Sequence, residues 1–327
     1  MLTIGILGAA GIAPAAIIRP AARRDDAVIL AVASRSAESA ERYALKHGIA
    51  RAYGDYGALL ADPEIDLVYV ALPPSEHAEW TIAALEAGKH VLCEKPSAMN
   101  AQQAAVMADA ASRTGRRLIE AFHDRYHPLS GHIDDVLASG RLGSVRRVHA
   151  DFSVEIPFDP ASIRHAPDLG GGALMDLGCY PVHWVRALAG EEPIVRSAIG
   201  TRNPLGTDES IEAELLFPSG ILATVTASMA AGLPLSSTLV IEGDDGTLSI
   251  DNLVFPSNGH SIRELSLATG VERISTVAGR TTYDHQLDAV VAAISTGAPT
   301  LTEGADILGN ARTIEAIYAA AGFPARP

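Results

Sequence analysis

The sequence predicts an α/β protein: a doubly wound parallel sheet first, then an α+β domain with a large open, mainly antiparallel sheet. Three observations carry this. Short apolar runs alternate with helical segments as far as residue 121. A glycine-containing turn joins the first apolar run to the first helix. Between residues 194 and 275 the runs are separated instead by Pro218-Ser219-Gly220, Asp244-Asp245-Gly246 and Thr269-Gly270. Strands separated by helices imply parallel βαβ units, and strands separated by Gly-containing turns imply hairpins.

In order, strands are expected at Thr3 to Leu7, Val28 to Ala33, Asp66 to Leu72, His90 to Cys93 and Arg117 to Ala121. Ser36, Asp55, Ser75 and Asn100 each precede a helical stretch and can accept from its first N–H groups. Gly48 and Gly88 stand where two of these helices should stop. Beyond residue 122 come a helix from His127 to Ser139, a strand from Val145 to Val154 and helical signals from Ala173 to Leu188. Helices at Thr282 to Thr296 and Glu303 to Ala321 follow the hairpin region. The expected domains are 1–121 and 122–327, the final helix being free to pack back towards the first domain.

The length, 327 residues, suits two domains at roughly 100–200 residues each. A net charge of −14 argues against a nucleic-acid or anionic-membrane surface, which needs concentrated Lys and Arg. No apolar stretch approaches the ~20 residues of a membrane span, and the start has neither the basic flank nor the length of a signal peptide. A cytoplasmic location is expected. Cys93 and Cys179 form no CxxC pair, so neither a disulfide framework nor a zinc ribbon is implied.

Two turns carry chemistry. After the first strand stands Gly8-Ala9-Ala10-Gly11-Ile12-Ala13. A dinucleotide site needs a tight turn there, then room for a pyrophosphate against a helix start. Gly8 is placed for the turn, while Ala10 and Ala13 occupy the later glycine positions of GxGxxG. The match is degraded, and a generic βα turn is the alternative reading. The second strand ends Ala33-Ser34-Arg35, where NAD sites usually carry Asp or Glu. A hydroxyl and a guanidinium suit a 2′-phosphate, so NADP is the expected cofactor and NAD the alternative. After the fifth strand stands Glu94-Lys95-Pro96, at the sheet edge where open α/β sheets bind ligands. There Lys95 can meet a substrate oxygen; a surface lysine in a turn is the plainer reading.

GAAGIA after the first strand, LPPSEHAEW, HVLCEKP, EAFHDRYHP and GGGALMDLGCYPVH together resemble the Gfo/Idh/MocA oxidoreductases. The resemblance implies a Rossmann cofactor domain, then a substrate-binding domain whose open sheet is covered in a homodimer or homotetramer. It implies that Lys95, Asp176 and Tyr180 act in catalysis, and that Leu72, Pro73 and His77 lie near the nicotinamide. On a regular helix Asp176, Tyr180 and His183 share one face, and His183 is a rival acid/base because its ordinary pKa is closer to neutrality. Arg125, His127, Arg164 and His165 are candidate substrate contacts. His123 and His127 have possible metal-ligand spacing, but no third ligand is evident and no metal is expected.

The expected activity is hydride transfer between NADP(H) and a sugar, polyol or related cyclic alcohol or ketone. Alternatives are an NAD-dependent inositol or sugar-derivative dehydrogenase, and a non-catalytic cofactor-binding regulator on the same fold.

Overall fold

A computed structural model describes residues 1–327, which fall into two compact units. The first comprises Met1–Arg125 and Tyr283–Leu308, the second Tyr126–Thr282 and Gly309–Pro327. This division differs from a single cut after residue 121, because the segment from Tyr283 belongs with the first unit. Leu287, Val290 and Val291 share one apolar core with Ile4, Ile6 and Leu67. An amphipathic helix read from sequence carries no mark of which sheet it will cover.

The first unit is built on β1 (Leu2–Leu7), β2 (Ala27–Ala33), β3 (Arg51–Tyr53), β4 (Leu67–Val70), β5 (His90–Cys93) and β6 (Leu118–Glu120). Its order is β3-β2-β1-β4-β5-β6, and every pairing is parallel. All four residues of β4 are buried, as expected of a strand with helices on both faces. Between β1 and β2 a π turn, Pro14–Ile18, leads into a short α1 (Arg19–Ala21). The other connections are α2 (Ala37–His47), α3 (Tyr56–Leu60), α4 (Pro74–Glu86) and α5 (Ala101–Thr114). Ser36, Asp55 and Asn100 cap α2, α3 and α5 by accepting from Ser39, Ala58 and Gln103. Ser75 does not cap α4. That helix starts two residues earlier than a Ser75 cap requires, with Pro74 in its first turn and Pro73 before it. Pro74 has no N–H to satisfy, so a serine cap is not needed.

In the second unit, α6 (Pro128–Ala138) and β7 (Val145–Ser153) lead to a π turn, Leu174–Gly178, which continues as α7 (Cys179–Ala189). Then come β8 (Ile194–Arg202), β9 (Asp208–Leu216), β10 (Leu222–Ser228), β11 (Ser236–Gly243), β12 (Gly246–Asp251), β13 (Ser261–Ser266) and β14 (Glu272–Ser275). The sheet order is β14-β13-β12-β11-β7-β10-β9-β8. Only β7 and β10 pair in parallel, so the sheet is mixed but mainly antiparallel. The three sequence-read turns join β9 to β10, β11 to β12 and β13 to β14. The remaining helices are α8 (Thr282–Thr296) and α9 (Ala305–Ala320). No helix is long and apolar enough to cross a membrane.

Candidate active site

The glycine turn follows β1, one of the two central strands of the parallel sheet. Gly8 has φ +101°, and a Cβ there would sit 2.5 Å from the Ala71 carbonyl oxygen at the end of β4. Only glycine fits such a backbone and so close an approach. Gly8 N–H donates to Ala33 O at 2.9 Å, tying the turn to the end of β2. Ala10 is half-buried, Gly11 and Ile12 are exposed, and Ala13 is fully buried under the helix. A Cβ at Gly11 would meet nothing, so this glycine leaves open space rather than relieving a clash. The Tyr43 hydroxyl donates to Ala10 O at 2.9 Å and braces the turn from α2; burial pushes its pKa up to about 12. At the end of β2, Ser34 N–H donates to Tyr53 O. Arg35 is exposed and has no ion-pair or hydrogen-bond partner in the chain.

Lys95 follows β5 and is half-buried, ahead of a cis peptide bond to Pro96. Its turn is held from several sides. Glu94 accepts the Tyr69 hydroxyl at 2.5 Å on Oε1 and the Lys95 N–H at 3.3 Å on Oε2. Ser97 N–H donates to buried Glu120 Oε1 at 2.6 Å. His77, on α4, sets its Nδ1 2.9 Å from Pro96 O and its Nε2 2.8 Å from Leu72 O, bridging the ends of β4 and β5. A neutral ring donates to only one of these carbonyls.

Burial drives the His77 pKa down to about 4 and that of His123 down to about 3, and in both the Lys95 cation adds to the effect. The His123 ring lies 4.0 Å from that of Tyr283. Lys95 is thus a cation among neutral imidazoles, beyond the carboxyl ends of parallel strands. Both folded-state values lie below the ordinary histidine value near 6.5. The unfolded chain therefore binds more protons over that interval, and stability is full above it and lost as pH falls from about 6.5 to about 4. Asp208, with its pKa up at about 6, works in the opposite sense between pH 6 and 4, but it is one group against two. Thermal midpoints measured from pH 7 to 4 are expected to fall, and His123→Leu to flatten the slope; an equally steep slope in that variant contradicts the assignment.

In the second unit, Asp176 lies within the π turn, so the single α-helical face expected for Asp176, Tyr180 and His183 is corrected. A π turn adds a residue to the turn and rotates Asp176 relative to α7. Tyr180 and His183, three apart on α7, keep a common face and are both buried. The Tyr180 ring packs edge-on to Phe152 of β7, with centroids 5.5 Å apart. Asp176, partly exposed, accepts from Arg164 Nε at 2.8 Å.

His165 is buried, with Nε2 3.2 Å from Pro157 O and Nδ1 3.4 Å from the Asn203 amide, so it braces its own loop. His127 is the N-cap of α6, its Nδ1 accepting from Leu129 N–H at 3.1 Å. His123 and Arg125 fall in the first unit and His127 in the second. Arg125 is half-buried, its N–H bonded to Phe122 O.

Residues 2–122 match the model of an oxidoreductase family with an NAD-binding Rossmann fold, and residues 132–249 match the GFO/IDH/MocA C-terminal domain. A D-xylose 1-dehydrogenase (NADP(+)) of Haloferax volcanii is 35% identical, covering 98% of this chain and 97% of its own. The chain belongs to the GFO/IDH/MocA family. It is an NAD(P)-binding oxidoreductase. A trans-1,2-dihydrobenzene-1,2-diol dehydrogenase of Danio rerio is 38% identical over 68% of this chain and 66% of its own. Among solved structures, the aldose–aldose oxidoreductase of Caulobacter crescentus, complexed with glycerol, superposes with a TM-score of 0.89 at 30% identity, over 98% of this chain and 97% of that one.

Several residues of this GFO/IDH/MocA chain escaped sequence reading. Tyr43, Tyr69, Glu120 and Asp208 act on their turns from other elements, and sequence spacing carries no trace of those contacts. The Gly170-Gly171-Gly172 run did carry a signal. A Cβ at Gly171 would stand 2.6 Å from Ile163 O and 2.7 Å from Arg164 O, and one at Gly172 would overlap Asp208 Oδ1.

Proposed function

We propose that this chain is an NADP-dependent oxidoreductase that moves hydride between the nicotinamide and a sugar, polyol or related cyclic alcohol or ketone. The observation that carries this reading is Lys95, a cation held among neutral imidazoles at the edge where a parallel sheet binds its ligand. The glycine turn fits the cofactor: the space where Gly8 lacks a Cβ is closed by the Ala71 carbonyl, and residues 9–12 are at least half-open. Gly8, Ala10, Gly11, Ile12 and Ala13 would hold the pyrophosphate, and Ser34 and Arg35 the 2′-phosphate. Leu72, Pro73, His77 and Glu94 would face the nicotinamide. The nicotinamide supplies the hydride acceptor or donor.

The protein supplies the rest. Lys95 hydrogen-bonds the reacting oxygen and stabilises its negative charge. Tyr180 takes the hydroxyl proton in oxidation and returns it in reduction, with His183 as the rival for this role. A phenol titrates near ~10 in water, so a cation at the shared substrate oxygen is what makes it effective near neutrality. Asp176, paired with Arg164, orients a substrate hydroxyl, with Arg125, His127 and His165 shaping the substrate surface. In this reading the first unit binds cofactor, and the second binds substrate and forms a cytoplasmic homodimer or homotetramer.

The relatives' printed activities support the substrate class, xylose for one and aldoses for another. Arg35 supports NADP over NAD, since an exposed guanidinium without a partner suits a phosphate. The test is kcat/KM with both cofactors for the wild type and Arg35→Glu. The wild type should favour NADP, and the variant should lose that preference by about 10²-fold or more, since a charge-assisted phosphate contact worth ~1.5–3 kcal/mol becomes a repulsion. A wild type that favours NAD overturns the cofactor assignment.

A further inference from the structure

Asp208 begins β9 and is fully buried. Its Oδ2 accepts the Leu174 N–H at 2.6 Å, at the residue that opens the π turn. Its Oδ1 accepts the Tyr318 hydroxyl at 2.9 Å and Arg326 Nη2 at 3.1 Å. Arg326 also donates to the Tyr318 oxygen at 2.9 Å and to Pro167 O at 3.3 Å, with its guanidinium 4.5 Å from the centre of the Tyr318 ring. Gly172 N–H donates to Arg164 O, and Asp176 N–H donates to Gly172 O. One carboxylate therefore ties β9, α9 and the segment after α9 to the loop that carries Arg164 and to the turn that carries Asp176.

We propose that Asp208 is the positioning residue for the Asp176–His183 segment, and that Arg326 locks it, so that substrate turnover depends on this buried ion pair. The inference rests on the reading that Asp176 and Tyr180 serve catalysis. The first N–H groups of a helical segment lack intrahelical partners, and a carboxylate there both bonds them and meets the positive end of the dipole. In this chain the carboxylate comes from a distant strand, so it fixes the direction in which the segment leaves the loop as well as its first bond. A side chain at residue 172 would occupy the carboxylate's place, which explains the third glycine of the run.

A buried carboxylate without its cation is costly, and removing one partner of such a pair leaves the other uncompensated. The groups facing Asp208 are the Tyr318 hydroxyl from α9, Arg326 from the segment after it and the Leu174 amide from the π turn. Burial raises the Asp208 pKa to about 6, while the Leu174 N–H and the Arg326 cation hold it down. The carboxylate is thus charged at neutral pH and loses its pairing as pH falls through about 6.

The test uses the full chain with Arg326→Gln, supported by Asp208→Asn and the milder Tyr318→Phe. In Arg326→Gln, kcat should fall by on the order of 10-fold to 100-fold, the scale of a small misplacement of catalytic groups. KM for the nicotinamide cofactor should stay unchanged. The acid limb of the kcat profile should move up by about one pH unit or more, because an opposite charge has been lost. In Asp208→Asn that limb should disappear. Amide exchange at residues 173–178 should accelerate in both variants, a readout independent of activity. Wild-type kcat, pH profile and exchange in Arg326→Gln overturn the proposal, and so does a fall in kcat that tracks thermal stability with the acid limb unmoved. If the wild type turns over no sugar or polyol, the functional reading fails, and exchange alone still decides whether Asp208 and Arg326 hold the segment.

Discussion

Lys95→Met is expected to lower turnover by about 10²–10⁴-fold, the range over which a group acting on the reacting proton and oxygen contributes. Methionine keeps much of the side chain's volume and removes only the charge and its donors. Affinity for the cofactor should change little, because the pyrophosphate would rest on the Gly8–Ala13 turn and the 2′-phosphate on Arg35. The same change should raise the pKa values of His77 and His123, since the Lys95 cation is one of the causes holding them down. Two readouts therefore follow from one substitution: steady-state kinetics and histidine NMR titration. Loss of turnover with both histidines unmoved would separate the catalytic claim from the electrostatic one, and full turnover would remove Lys95 from the mechanism.

Gly8→Ala should be the most damaging single methyl in the first unit. The backbone there has φ +101°, and the added Cβ would stand 2.5 Å from Ala71 O and 3.1 Å from Leu72 Cδ2. Strain of this kind costs about 1–3 kcal/mol, before β1 and β4 are forced apart. Those strands are hydrogen-bonded neighbours at this point, Ala71 N–H donating to Leu7 O at 2.9 Å. A marked loss of thermal stability is expected, together with a cofactor Kd weakened by on the order of 10-fold or more. Gly11→Ala is the control: its Cβ meets nothing, and its stability should change by less than ~0.5 kcal/mol. Equal behaviour of the two variants in thermal unfolding would contradict this account of the turn.

The sequence was most informative where function depends on neighbours in the chain. Gly8 and Glu94-Lys95-Pro96 stand beside the strands that position them, so a turn residue at a strand end was readable. Ser36, Asp55 and Asn100 were readable as caps for the same reason. Ser75 was not, because a proline inside the first turn competes with a serine cap and spacing does not show which prevails. The π turn at Leu174–Gly178 was likewise hidden. Its residues fit an α-helical pattern, and what holds its start is a carboxylate supplied from β9. The Arg164–Asp176 pair and the two carbonyls bridged by His77 arise from loop paths that residue spacing does not fix. Placing α8 required knowing which core accepts Leu287, Val290 and Val291.

The most direct test of the central claim is the absorbance of reduced nicotinamide while purified wild-type chain and Lys95→Met are each offered NADP(H) with a panel of aldoses, polyols and cyclic ketones. The wild type should turn over at least one sugar or polyol, faster with NADP than with NAD, and the variant should lose nearly all of that turnover. Silence of the wild type across the panel would contradict the central claim and favour a cofactor-binding regulator, and equal rates for the two proteins would show that hydride transfer proceeds without Lys95.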